Sequence, residues 1–161
     1  MTSPEWWRFY TYCFVHAGWE HLLGNMIMQI MIGITLEYAH GTIRVASLYS
    51  IGIVVGSFTA LIVTPNSSLV GASGGDFCLM TAVIANVILN SDSMRLSLAL
   101  IRILFMGSYL AMEVYMSVKR YNENEGNISW AAHLGGAVTG LTLGVFILRN
   151  LEKKVWLHLL L

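Results

Sequence analysis

Between His21 and Leu148 the chain repeats one pattern five times: a mostly apolar run of bilayer-crossing length, closed by a short polar break. A spanning helix needs roughly 20 such residues, within a range of about 17 to 25. The runs are about His21 to Leu36, Val45 to Val63, Ser73 to Leu89, Leu96 to Val118 and Ser129 to Leu148. Hydrocarbon offers backbone amides no partner, so segments of this kind must satisfy themselves as helices. The expected fold is all-α: a polytopic transmembrane helical bundle of about five spanning helices, forming a single domain over residues 1–161. Residues 1–20 read as an interfacial loop, with the rings of Trp6-Trp7-Arg8-Phe9-Tyr10 at headgroup level. Residues 149–161 read as a cytoplasmic tail or the start of a further helix.

Composition supports the same class. Only 11% of the residues are charged, against about 25% in an ordinary soluble domain. Formal net charge is zero, which removes the case for nucleic acid or a polybasic lipid anchor and leaves the lipid bilayer as the implied partner. Cys13 and Cys78 stand 65 residues apart, Cys78 inside an apolar run, so no disulfide framework is expected. The start, Met1 to Arg8, lacks the basic and apolar regions of a cleavable signal. Basic residues near the helix ends set an orientation. Arg44, Arg95, Arg149, Lys153 and Lys154 share one side and Arg8, Lys119 and Arg120 the other, which places the first group in the cytoplasm.

Three side chains of reactive type then fall at one depth, away from the cytoplasm. Ser73, in Gly71-Ala72-Ser73-Gly74-Gly75, opens the third run; His133, in Ala132-His133-Leu134-Gly135-Gly136, opens the fifth; His21 opens the first. Polar groups at bilayer depth usually mark function. His133 shares a helix face with Gly136, Gly140 and Gly144, so it points at a neighbouring helix. Bracketing glycines let Ser73 be approached closely, and free N–H groups at a helix start could hold an oxyanion. The plainer reading of Ser73 is a helix N-cap. His21, Asn25 and Gln29 form a polar stripe at a spacing of four, either as oxyanion donors or as interhelical hydrogen-bonding groups.

The remaining polar residues read as structural. Ser73-x-x-Asp76 fits a variant capping box, with the carboxylate answering a backbone N–H. Arg102 and Glu113 are expected to reach out to the membrane interfaces. Glu37 to Arg44 reads as a short cytoplasmic turn, and Gly52-x-x-x-Gly56 as helix packing. His16 adds a third histidine near His21, but without paired cysteines, a His-x3-His pair or a carboxylate ligand no metal is expected. No cofactor is implied.

Together these motifs resemble the rhomboid family of intramembrane serine proteases, in particular its animal branch. The resemblance covers about residues 4 to 150. It rests on Trp7-Arg8, the run from His16 to Asn25, Leu36 to Thr42, Gly71 to Gly75 and Ala132 to Gly136, in that order. It implies a dyad with Ser73 as nucleophile and His133 as general base, with Asn25 and His21 stabilising the oxyanion. Gly71, Gly74, Phe77 and Gly136 would support the dyad, Phe77 in place of a tyrosine that often stacks on the histidine. Glu37 would make a polar contact at the cytoplasmic end. The resemblance further implies that the first of six core helices precedes this chain, and that Val155 to Leu161 begins a seventh. The implied activity is cleavage of single-pass membrane proteins within or near their transmembrane segments, in the secretory pathway or plasma membrane. The alternatives are a catalytically inactive relative that binds transmembrane clients, and a small channel or transporter. A channel would need polar residues along a full path, and here they gather at one depth.

Overall fold

The computed structural model of the chain describes residues 5–92, 94–122 and 130–151. Among these residues six α-helices follow in order: α1 (Arg8–Thr11), α2 (Trp19–His40), α3 (Thr42–Val63), α4 (Ser73–Leu89), α5 (Leu96–Asn122) and α6 (Trp130–Ile147). A single 3-10 turn, Tyr12–Phe14, follows α1. Among the described residues four stretches are long and apolar enough to cross a membrane: Trp19–His40, Thr42–Val63, Leu96–Glu113 and Trp130–Ile147. The chain is an integral, multi-pass membrane protein.

The third expected span, α4, is shorter at 17 residues, and 14 of them are buried. It is the central post of the bundle, contacted by α2, α3, α5 and α6. Its contact with α6 is built from small residues. Gly136 lies on Gly74, Gly140 on the Cys78 carbonyl and Thr81, and Gly144 on Ala82 and Ala85. A Cβ at Gly136 or Gly140 would overlap a backbone oxygen of α4. Without a hydrophobic drive between helices in lipid, such close backbone approach is what gains dispersion contact. The packing expected of Gly52 and Gly56 is present, Gly52 against Cys78 and Gly56 against Ala132.

Polarity is arranged inside out. Ile30, Ile34, Ile62, Leu104 and Phe146 are exposed, while Asn25, Ser57, Asp76, Asn86 and Thr139 are buried. The buried groups bridge helices where they meet. Thr81 donates to the Ala137 carbonyl at 2.7 Å, and the Cys78 thiol to the Leu48 carbonyl at 3.1 Å. On α2 the buried positions Asn25, Met28, Ile32, Leu36 and Ala39 follow the helical repeat. One face of α2 therefore runs from a polar end at Asn25 into the apolar core.

The segment Glu37 to Arg44, expected as a turn, is helical except at Gly41. Gly41 adopts φ +89°, a conformation open to glycine, and that one residue divides α2 from α3. His40 closes α2 fully buried, its Nδ1 accepting the Arg149 N–H at 3.0 Å. Beside it the Asn90 side chain accepts the Leu151 N–H at 2.5 Å, tying the chain after α6 to the end of α4 opposite Ser73. The expectations for Ser129, Lys153, Lys154 and Val155 to Leu161 lie outside the described residues.

Candidate active site

Ser73 is the first residue of α4, and Ala72 occupies the cap position. The hydroxyl does not cap the helix. It lies 2.7 Å from Nε2 of His133, in the first turn of α6. Both helices are held in register by the Gly74–Gly136 contact one turn along, so the residues that fix the spacing of the pair adjoin it in sequence. The Phe77 ring, one turn after Ser73, stacks on the His133 imidazole with centroids 4.3 Å apart and planes 7° from parallel. Ser73 Oγ and Phe77 thus bracket the imidazole from one helix.

Gly71 has φ +98° and turns the chain into α4. A Cβ there would meet the His21 ring at 2.7 Å and the Asn25 amide nitrogen at 3.2 Å, so both α2 side chains rest directly against this loop. The Gly71 N–H donates to the Val15 carbonyl at 2.7 Å, stitching the N-terminal segment to the loop. His21 Nδ1 accepts the Ala17 N–H at 3.3 Å. That bond assigns the imidazole proton to Nε2, which faces Gly71. His16 stands edge-on to His21, centroids 5.3 Å apart. Asn25 is buried, and its amide nitrogen has no hydrogen-bond partner among the described residues. The Ser73 N–H sits at the helix start, where the helix supplies no acceptor.

Ser73, His133, Phe77, His21 and Asn25 line one cavity of about 400 Å³ with Ala17, Glu20, Gly24, Asp76, Met80, Tyr109 and Glu113. Two structural readings are corrected here. Asp76 caps nothing: it is 3% exposed, and neither carboxyl oxygen has a hydrogen-bond partner among the described residues. Curling back to the helix start is closed to it because its side chain points along the Ser73–Phe77–Met80 face into the cavity. Glu113 does not reach for the interface; the rotation of α5 turns it to the same cavity. The run Ser73, Asp76, Phe77, Met80 has the i, i+3, i+4, i+7 spacing of one helix face, a signal from which the cavity wall could have been read.

Tyr12 carries a role that the sequence does not announce. Buried at the crossing of α3, α4 and α6, its hydroxyl donates to the Ile53 carbonyl at 2.9 Å and touches Gly56 and Gly74. Burial pushes its phenol above the ordinary range, and burial likewise raises the neighbouring Cys13 thiol. Phe9 stacks on Phe58 of α3 at 4.5 Å, and Tyr10 reaches Ser50 at 3.4 Å. The residues before α2 are thereby fastened to the helices that carry the site.

A membrane bundle whose central helix opens on a serine hydrogen-bonded to a histidine of the adjacent helix defines a multi-pass membrane protein with a polar site inside the bundle. The Rhomboid domain pattern matches residues 3–150, and the chain belongs to the rhomboid family. It is 42% identical over 149 residues to Rhomboid-related protein 1 of Caenorhabditis elegans, covering 92% of this chain and 42% of that protein. It is 32% identical over 147 residues to Inactive rhomboid-related protein 2 of the same organism, covering 91% of this chain and 42% of that protein. It is 28% identical over 152 residues to Rhomboid-like protease 1 of Toxoplasma gondii, covering 93% of this chain and 50% of that protein. The chain spans half or less of the length of these relatives.

Proposed function

We propose that the chain is an intramembrane serine endopeptidase that cleaves single-pass proteins in or near their transmembrane segments. The observation that carries this reading is the 2.7 Å contact between Ser73 Oγ and His133 Nε2, within the usual reach of a nucleophile and its base. As Oγ attacks the scissile carbonyl carbon, Nε2 takes its proton and a tetrahedral oxyanion forms. The Asn25 amide, His21 Nε2–H and Ser73 N–H would donate to that oxygen. The positive end of α4 adds to their field. His133 then returns the proton to the leaving amine, leaving an acyl-serine that water hydrolyses by the same route. No carboxylate is needed to orient the imidazole, because stacking on Phe77 does so.

The substrate helix must unwind locally, since a helical amide is hydrogen-bonded and shielded. Helix-weakening residues near the scissile bond should therefore favour cleavage. Arg44, Arg95 and Arg149 cluster at the end of the bundle opposite Ser73, which supports an active site on the non-cytoplasmic side of a secretory-pathway or plasma membrane. A relative named inactive and another named a protease both match this chain, so activity must be measured. The test is reconstitution in liposomes with a labelled single-pass substrate, comparing the chain with Ser73→Ala and His133→Ala. Cleavage by the unaltered chain alone supports the reading. Equal cleavage by all three removes it, and cleavage by none leaves a client-binding relative.

A further inference from the structure

The carboxylates of the cavity serve no step in that mechanism. Glu20, Asp76 and Glu113 all line it, and no lysine or arginine does among the described residues. Asp76 carries the sharper signal. It is 97% shielded, lines the cavity, and both oxygens lack a hydrogen-bond partner among the described residues. Leaving a buried carboxyl unmatched is costly, and a bundle gains nothing from it that valine would not supply. The position is also specific. Asp76 follows Ser73 by three residues, so it lies about 4.5 Å along the helix axis from the nucleophile. Phe77 and Met80, themselves buried, border the same cavity and give it an apolar wall of the kind an alkyl stem that ends in a charge can follow.

We propose that Asp76 and Glu113 form a subsite for the ammonium or guanidinium of a lysine or arginine flanking the scissile bond. This rests on the protease reading above, which it deepens by assigning a substrate side chain. The cationic head enters the cavity and donates to the Asp76 and Glu113 oxygens. Its methylenes lie along Phe77 and Met80, while the backbone carbonyl stays at Ser73. Charge-assisted bonds of this kind are the strong ones. Methionine or norleucine would fill the same volume and leave the Asp76 carboxyl unmatched, and glutamate would be repelled.

The test compares otherwise identical single-pass substrates carrying lysine, norleucine or glutamate beside the cleaved bond, in liposomes containing the full chain. The expected result is a kcat/KM for lysine about ten- to a hundredfold above norleucine, with glutamate poorest. Asp76→Asn should bring the lysine-to-norleucine ratio towards one, and Glu113→Gln should lower it in part. Because the ratio compares two substrates on one variant, partial unfolding leaves it unmoved. A ratio near one in the unaltered chain, or a ratio that survives both substitutions together, overturns the subsite. If nothing is cleaved, the protease reading fails separately. Binding of the same lysine and norleucine peptides to Ser73→Ala then decides: an Asp76-dependent preference for lysine supports the subsite, and equal affinities overturn it.

Discussion

Phe77 lies flat on His133, its ring 4.3 Å from the imidazole and within 7° of parallel. With Ser73 Oγ on Nε2, two residues of one helix turn fix both the distance and the plane of the candidate base. Removing the ring should loosen the imidazole without touching the nucleophile. Phe77→Ala is expected to lower kcat by about tenfold to a hundredfold, in line with the sensitivity of catalysis to misplacement. Phe77→Tyr should stay within a few-fold, since it keeps the stacked face. Steady-state cleavage in liposomes separates the two.

Asn25 places a buried amide nitrogen, without a hydrogen-bond partner among the described residues, beside Gly71 and in the same cavity as Ser73. If it holds the oxyanion, its interaction develops only in the transition state. Asn25→Ala should then reduce kcat by about a hundredfold to a thousandfold while KM changes little. A rise in KM at constant kcat would make Asn25 a ground-state binding residue instead.

The α4–α6 contact has no room for a methyl group. Gly136→Ala and Gly140→Ala would drive a Cβ into the Gly74 and Cys78 carbonyls. Each should destabilise the bundle by about 1–3 kcal/mol or more, the range for overpacking, and Gly136→Ala should also disturb the adjacent dyad. Gly33→Ala and Gly107→Ala meet nothing within 4 Å and should be neutral or gain up to about 1 kcal/mol of helix preference. Thermal unfolding in detergent would rank the four.

Gly71→Ala combines two faults. It forces an L-residue to φ +98° and presses a methyl group onto His21 and Asn25. Loss of activity should exceed loss of stability, because the displaced side chains are the candidate oxyanion donors. Equal losses would mean that the loop matters only for folding.

Much of this architecture was legible in the sequence. Ser73 to Leu89 is helical with the bounds its apolar run gives, and α6 ends at Ile147, one residue before the expected run does. Glycines at 136, 140 and 144 turn the His133 face towards a neighbouring helix, while its pairing with Ser73 was implied by the family resemblance. What failed had physical causes. Glu37, Tyr38 and His40 looked like a turn by polarity, but polarity does not stop a helix, and the break fell on Gly41 alone. Asp76 looked like a cap because capping is judged by local spacing, whereas its direction is set by the face that α4 presents to the cavity. Glu113 was misread because the rotation of α5 is fixed by packing against α4, which no local pattern encodes. Tyr12 was invisible for a similar reason: its partner, Ile53, lies 41 residues away.

The most direct test of the central claim is labelling by a fluorophosphonate probe, which reports an activated serine without requiring a substrate. The chain in liposomes should label at Ser73, as mapped by peptide mass, and labelling should vanish in Ser73→Ala and fall by orders of magnitude in His133→Ala. Undiminished labelling of His133→Ala, or no labelling of a folded unaltered chain, would contradict the account, because the hydroxyl would then owe nothing to the imidazole 2.7 Å away.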